Sequence, residues 1–304
     1  MPVEMLQIPT ADGQADAIAA FPDHGERHPG VLMYADGFGI RPVLRDMAHE
    51  LARHGYYVLV PNIFHRHGPA PVIQLPEHTG EEVRPRVMAR LMPLIEAHTA
   101  ERVLSDADAY LGFLTTRPEV GAGPVAVTGY CTGGLLAVRT AAAHPGRVAA
   151  VAAFHGPVGA DGPGLLSELT ARVHFGHAEG DMPPEALGEL NRALDAAGVD
   201  HTSEIYPGTV HGFTMPDTDR PYSRARATVL RPRPAARAQG RASSLSVPAP
   251  PGGAPADVSG TSAGRRRMAP SDSRCTSPAP DRTAAAGRRE ACPRRDRQTT
   301  GGLR

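Results

Sequence analysis

Two spacings of apolar residues alternate along the first 225 positions of this 304-residue chain. Residues 3–8 and 15–21 alternate apolar with polar on either side of Asp12-Gly13, the period-two pattern and turn pair of a β-hairpin. Residues 30–35 (GVLMYA) and 56–60 (YYVLV) are short, uncharged apolar runs, as expected of strands buried on both faces, and Pro61 stops the second. Between them Leu44, Met47, Ala48 and Leu51 recur at helical spacing over residues 43–53, and His54-Gly55 closes that helix. After residues 61–76 comes a charged stretch to which the pattern assigns no element. A long amphipathic helix is predicted over 101–115. Strands at 124–128, 148–154, 171–175 and 202–206 then alternate with helices at 132–143 and 184–197.

Strands alternating with helices imply an α/β protein with a mainly parallel sheet flanked by helices. A body of ~225 residues can bury a core of normal size. The expected organisation is one domain over residues 1–225 followed by a tail over 226–304.

Composition sharpens that boundary. The whole chain balances 32 basic against 32 acidic residues. Residues 1–225 carry 16 Arg and 27 Asp plus Glu, whereas residues 226–304 carry 16 Arg and 5 acidic residues. The second segment also has ten Pro and eight Gly but no Phe, Tyr or Ile. It cannot bury enough apolar surface to offset its ordering entropy, so it is expected to be a disordered Arg/Pro/Ala/Gly-rich tail. A basic tail can bind nucleic acid, but without aromatics or a folded scaffold nucleic acid is not the expected partner. Out-of-frame translation of GC-rich DNA would also produce such a segment. An uninterrupted reading frame with the body's codon bias would exclude that origin.

The body holds a single cysteine, Cys131, and the tail holds Cys275 and Cys292, so no paired disulfide framework is expected. The N-terminus lacks a basic head with an apolar run, and no apolar run reaches the ~18 residues of a membrane span. A cytoplasmic setting is the expectation, with a small-molecule substrate, no membrane association and a monomeric state.

The sharpest chemical motif is Gly129-Tyr130-Cys131-Thr132-Gly133-Gly134, directly after a predicted strand and opening a predicted helix. This is the context of a nucleophile elbow, in which small residues two before and two after let a strained turn expose the nucleophile. Gly129 and Gly133 stand at those elbow positions. The turn also aims the backbone N–H of Thr132, at a helix N-terminus, toward a developing oxyanion, and such a terminus lowers a thiol's pKa. The plainer reading is an inert buried cysteine in a glycine-rich turn.

A thiol nucleophile needs a base. His211 lies in Tyr206-Pro207-Gly208-Thr209-Val210-His211-Gly212-Phe213, just after the last predicted strand, where open α/β sheets place their sites. Most of the fourteen histidines read as surface residues, His65, His67, His144 and His155 among them. The acid should fall between nucleophile and histidine in the chain. Asp181 does, and its plainer role is to cap the helix that follows; Glu179 is the rival acid. The loop Asp36-Gly37-Phe38-Gly39 after the 30–35 strand offers the Gly37 N–H as second oxyanion donor. Asp36 is an acid near the nucleophile, or simply the Asp of an Asp-Gly turn.

With G-Y-C-T-G-G at 129–134, A-D-G-F-G at 35–39, Y-V-L-V-P-N-I-F at 57–64, F-H-G at 154–156 and Y-P-G-T-V-H-G-F at 206–213, residues 1–225 resemble the dienelactone hydrolase family. The resemblance implies an α/β-hydrolase fold and a triad of Cys131, His211 and Asp181. It also implies that Asp36 interacts with the cysteine and activates it once substrate binds, although dienelactone-specific members carry Glu there. Those members grip a substrate carboxylate with arginines, one shortly after the histidine. Here residues 213–216 read F-T-M-P, which leaves Arg84 and Arg86 as candidates. A closing helix is expected to begin near 221–224, where the tail intervenes. The expected activity is hydrolysis of an ester or lactone through a thioester, with no metal or organic cofactor. The alternatives are a general carboxylesterase and a non-catalytic relative.

Overall fold

A computed structural model of the chain describes residues 2–75, 82–158 and 161–217; the expected tail and closing helix lie outside these residues. The expected hairpin is β1 (Val3–Thr10) and β2 (Gly13–Ala20), antiparallel. Then follow β3 (Gly30–Tyr34), α1 (Pro42–Arg53), β4 (Tyr57–Pro61), α2 (Arg84–Glu96), α3 (Ala100–Thr115), β5 (Val125–Tyr130) and α4 (Thr132–Ala143). The order ends with β6 (Val148–Phe154), α5 (Pro163–Ser167), β7 (Arg172–Ala178), α6 (Pro184–Ala196) and β8 (His201–Tyr206).

The eight strands form one sheet in the order β1-β2-β4-β3-β5-β6-β7-β8. β2 pairs antiparallel with β4, and every pairing from β4 to β8 is parallel. β3 and β4 are buried at every position because helices cover both faces, which is why they read as unbroken apolar runs. One core cluster, including Leu32, Leu59, Val127, Leu136, Val151 and Phe175, lies on the face covered by α3, α4, α5 and α6. The other, including Met33, Val58, Val60, Leu44 and Met47, lies under α1. Each such fully buried aliphatic side chain contributes roughly 1.5–3 kcal/mol relative to exposure.

β3 has β4 on one side and β5 on the other, so the loops leaving β3 and β5 diverge at the carboxyl edge of the sheet and open a crevice. Helix α2 lies in the charged stretch that the apolar pattern left unassigned. Arg84, Arg86 and Arg90 dilute its apolar residues, and Pro85 and Pro93 read as breakers. Pro85 is tolerated because it falls in the first turn. The helix buries Val87 and Leu91 with Ile73 in a small cluster of its own. β7 runs three residues past its expected end, because Gly176–Ala178 pair with Glu204–Tyr206 of β8.

Candidate active site

The crevice collects a residue from the end of nearly every central strand. Asp36 and Gly37 follow β3, Cys131 follows β5, His155 follows β6, Asp181 follows β7 and His211 follows β8.

Cys131 caps α4 with φ 53° and ψ −123°, a positive φ that side-chain-bearing residues rarely adopt. The tightness of the turn explains its glycines. A Cβ on Gly129 would sit 1.9 Å from the carbonyl oxygen of Gly133, and one on Gly133 would sit 2.3 Å from that of Ala35. The turn is pinned by Cys131 N–H donating to the Phe154 carbonyl (3.0 Å) and Gly134 N–H donating to the Cys131 carbonyl (2.9 Å).

The thiol lies 3.1 Å from His211 Nε2, and His211 Nδ1 lies 2.8 Å from Asp181 Oδ2. Asp181 therefore spends its carboxylate on the histidine and not on a helix cap; α6 starts from Pro183 with no side-chain cap. The rival acid, Glu179, accepts instead from the Gly208 N–H at 2.8 Å and so braces the loop that carries His211.

The electrostatics follow the geometry. Burial pushes the Cys131 thiol up, but the hydrogen bond and charge of His211 outweigh it, and the thiol ends below its ordinary value. The Asp36 charge opposes that fall, and the Thr132 N–H assists it. His211 is raised to about 9, first by the hydrogen bond to Asp181, then by that to Cys131, with burial opposing. Both shifts favour a thiolate–imidazolium pair.

A cavity of about 210 Å³ opens beside the sulfur. Gly37 and Thr132 line it, as do Phe38, Met88, Met92, Ile95 and Met215, so its walls are largely apolar. Arg84 lines it too and lies 5.8 Å from the Phe38 ring centroid, whereas Arg86 is exposed and outside the lining.

Asp36 lines the same cavity as Cys131; both its oxygens are held by Arg41, at 2.6 and 2.9 Å, and it caps a turn through the Phe38 N–H. A shorter side chain than Glu, beside an arginine five residues on, turns to the arginine. His155 is not a surface residue. It is 1% exposed, with Nε2 2.7 Å from Thr214 Oγ1 and its ring centroid 5.1 Å from that of His211. The F-H-G motif directly after β6 was the signal for it. His65 is likewise buried, 3.5 Å from Asp106.

The sequence profile of the dienelactone hydrolase family matches residues 15–231. The chain belongs to the dienelactone hydrolase family. Among family relatives, a Methylorubrum extorquens protein with a provisional carboxymethylenebutenolidase name is 27% identical over 68% of this chain and 71% of its own. The carboxymethylenebutenolidase of Pseudomonas sp. strain P51 is 31% identical over 43% of this chain and 51% of its own. Among solved structures, m3DLH (23% identity, TM-score 0.62) covers 75% of this chain and 93% of its own. The dienelactone hydrolase-like promiscuous phosphotriesterase P91, from metagenomic libraries, has a TM-score of 0.59 at 20% identity, with 75% of this chain and 95% of its own covered. These two establish the fold as that of the α/β hydrolases. Membership makes the chain a hydrolase enzyme. No helix among its described residues is long and apolar enough to cross a membrane.

Proposed function

We propose that this dienelactone hydrolase family member cleaves an ester or lactone through a Cys131 thioester. The observation that carries the reading is His211 bridging Cys131 and Asp181, at 3.1 and 2.8 Å, with Cys131 and His211 lining the cavity. His211 takes the thiol proton, and Asp181 fixes the imidazole tautomer and stabilises the imidazolium. The thiolate attacks the carbonyl carbon. The N–H groups of Thr132 and Gly37 receive the oxyanion, and the imidazolium protonates the departing alkoxide or enolate. Water deprotonated by His211 then attacks the thioester, releasing the acid and restoring the thiol. The domain responsible is the segment up to about residue 225, and it works without metal or organic cofactor.

The relatives' name, carboxymethylenebutenolidase, describes an unsaturated lactone bearing a carboxylate. Arg84 is the cavity residue suited to meet that carboxylate. A second reading, a carboxylesterase for neutral esters, is favoured by Phe38, Met88, Met92, Ile95 and Met215 around the same space. Adaptable thioether side chains accommodate varied apolar groups.

The test is turnover of a neutral aryl ester and of a dienelactone by the wild type and by Cys131→Ala. The expected result is activity that falls in the variant by on the order of 10³-fold or more. The better substrate selects between the two readings. Full activity in a folded Cys131→Ala protein would sink both.

A further inference from the structure

Arg41 has no part in the chemistry above, yet it is a heavily engaged cation beside the site. It sits just ahead of α1, its side chain only 7% exposed. A guanidinium has five N–H donors, and the partners of Arg41 account for all of them. Nη1 donates to Asp36 Oδ1 at 2.6 Å and to the Gly39 carbonyl at 3.2 Å. Nη2 donates to Asp36 Oδ2 at 2.9 Å and to Asp217 Oδ1 at 3.2 Å, and Nε donates to Asp217 Oδ2 at 2.5 Å. The guanidinium also lies 5.3 Å from the Phe38 ring centroid. A buried charge is tolerated when its donors are matched in this way, and such a fork fits carboxylates better than an ammonium does.

The partners themselves carry the argument. Asp36 lines the cavity with Cys131, its side chain 6% exposed, and its negative charge disfavours a thiolate there. Asp217 lies six residues beyond His211. One side chain thus joins the loop that carries Gly37 to the segment that follows the histidine, while occupying both oxygens of an acid that lines the cavity with the sulfur.

We propose that Arg41 is a positioning residue of this site: it holds the Asp36 carboxylate off the Cys131 sulfur, leaves the thiol to His211, and ties the Gly37 loop to the histidine segment. The thiol is consequently paired with its base before any substrate arrives. The inference rests on the reading of Cys131 as nucleophile. The other groups around the sulfur are His211 with Asp181 behind it, the Thr132 hydroxyl at 3.9 Å, and His155 and Arg84 across the cavity. None of them contacts Asp36 through both oxygens as Arg41 does.

The experiment is the pH dependence of iodoacetamide alkylation in the full chain, followed on the Cys131 peptide by mass spectrometry so that Cys275 and Cys292 do not contribute. Arg41→Met keeps an apolar stem and releases Asp36. Its alkylation limb is expected to move up by about one pH unit, hence about tenfold slower reaction below the midpoint. Adding Asp36→Asn to Arg41→Met should return the limb toward the wild-type position. A purely structural role would lower stability without moving the limb and would not be rescued by Asp36→Asn. An unmoved limb in Arg41→Met, or a shift that Asp36→Asn does not reverse, overturns the proposal. If Arg41→Met does not fold, Arg41→Lys serves: an ammonium cannot match the fork that holds Asp36 and Asp217 together, so its limb should move up in the same direction and return with Asp36→Asn, and an unmoved limb again overturns the proposal. Alkylation needs no turnover. A wild type that hydrolyses nothing but shows these shifts loses the esterase reading and keeps this one. Cys131-dependent turnover with an unmoved limb does the reverse.

Discussion

At the scale of the residue, the site turns on one histidine held from two sides. Asp181 contributes most to the raised His211 value of about 9, and Cys131 comes next. The sign of the pH dependence follows. Turnover should rise with pH as the thiol, lowered from its ordinary value, ionises. It should fall again near pH 9 as the imidazolium needed to protonate the leaving group is lost. Asp181→Asn removes the largest support, so the alkaline limb should move to lower pH and kcat should drop by roughly 10²–10⁴-fold. A pH–rate profile of both proteins checks this, and an unmoved alkaline limb in the variant would count against the orienting role. Cys131, Asp181 and His211 were legible in the chain because glycines and strand ends mark them. The pairing of Asp36 with Arg41, five residues on, was not, because a loop does not fix which neighbour a carboxylate turns to and the other partner of Arg41, Asp217, lies 176 residues away.

At the scale of the element, the elbow binds β5 to α4 so closely that backbone approaches backbone. Gly133 packs against the Ala35 and Tyr34 carbonyls at the end of β3, where any Cβ would come within 2.3 Å and 2.8 Å of oxygen. Gly133→Ala should therefore displace either α4 or the Gly37 loop, and turnover should fall by on the order of 10²-fold or more even where the protein still folds. Paired measurements of ester hydrolysis and near-ultraviolet circular dichroism would separate misplacement from unfolding. The same closeness made the motif readable, since only glycine meets it. Helix α2 illustrates the opposite case. Val87, Met88, Leu91, Met92 and Ile95 keep helical spacing, but prolines and arginines interleave them, and the cluster they join is built mainly with Ile73, Phe38 and Leu75, with only Leu94 and Ile95 reaching the larger core. A periodicity that serves a small local cluster is short, and nothing in the sequence separates it from a charged loop.

At the scale of the whole molecule, the parallel sheet from β4 to β8 is the rigid support on which the loops are hung. Leu59 is fully buried in β4, between β2 and β3, inside the larger core cluster. Leu59→Ala should lower stability by about 2–5 kcal/mol, read as a lower urea midpoint with an unchanged slope. Turnover of the fraction that remains folded should change little. The strand order was predictable as a class from the alternation of strands and helices. The specific position of β3 between β4 and β5, which opens the crevice, depends on pairings that a single sequence does not display. Ile73, Val87 and Leu91 form a cluster of their own, joined to the larger core only through Leu94 and Ile95 near the end of α2. The amides of α2 are expected to exchange with deuterium through a local opening of lower free energy than global unfolding, while those of β3, β4 and β5 exchange only with the whole. Such an opening would let the wall that carries Met88 and Met92 admit and release bulky guests on its own clock, with the strands that support the sulfur and the histidine still folded.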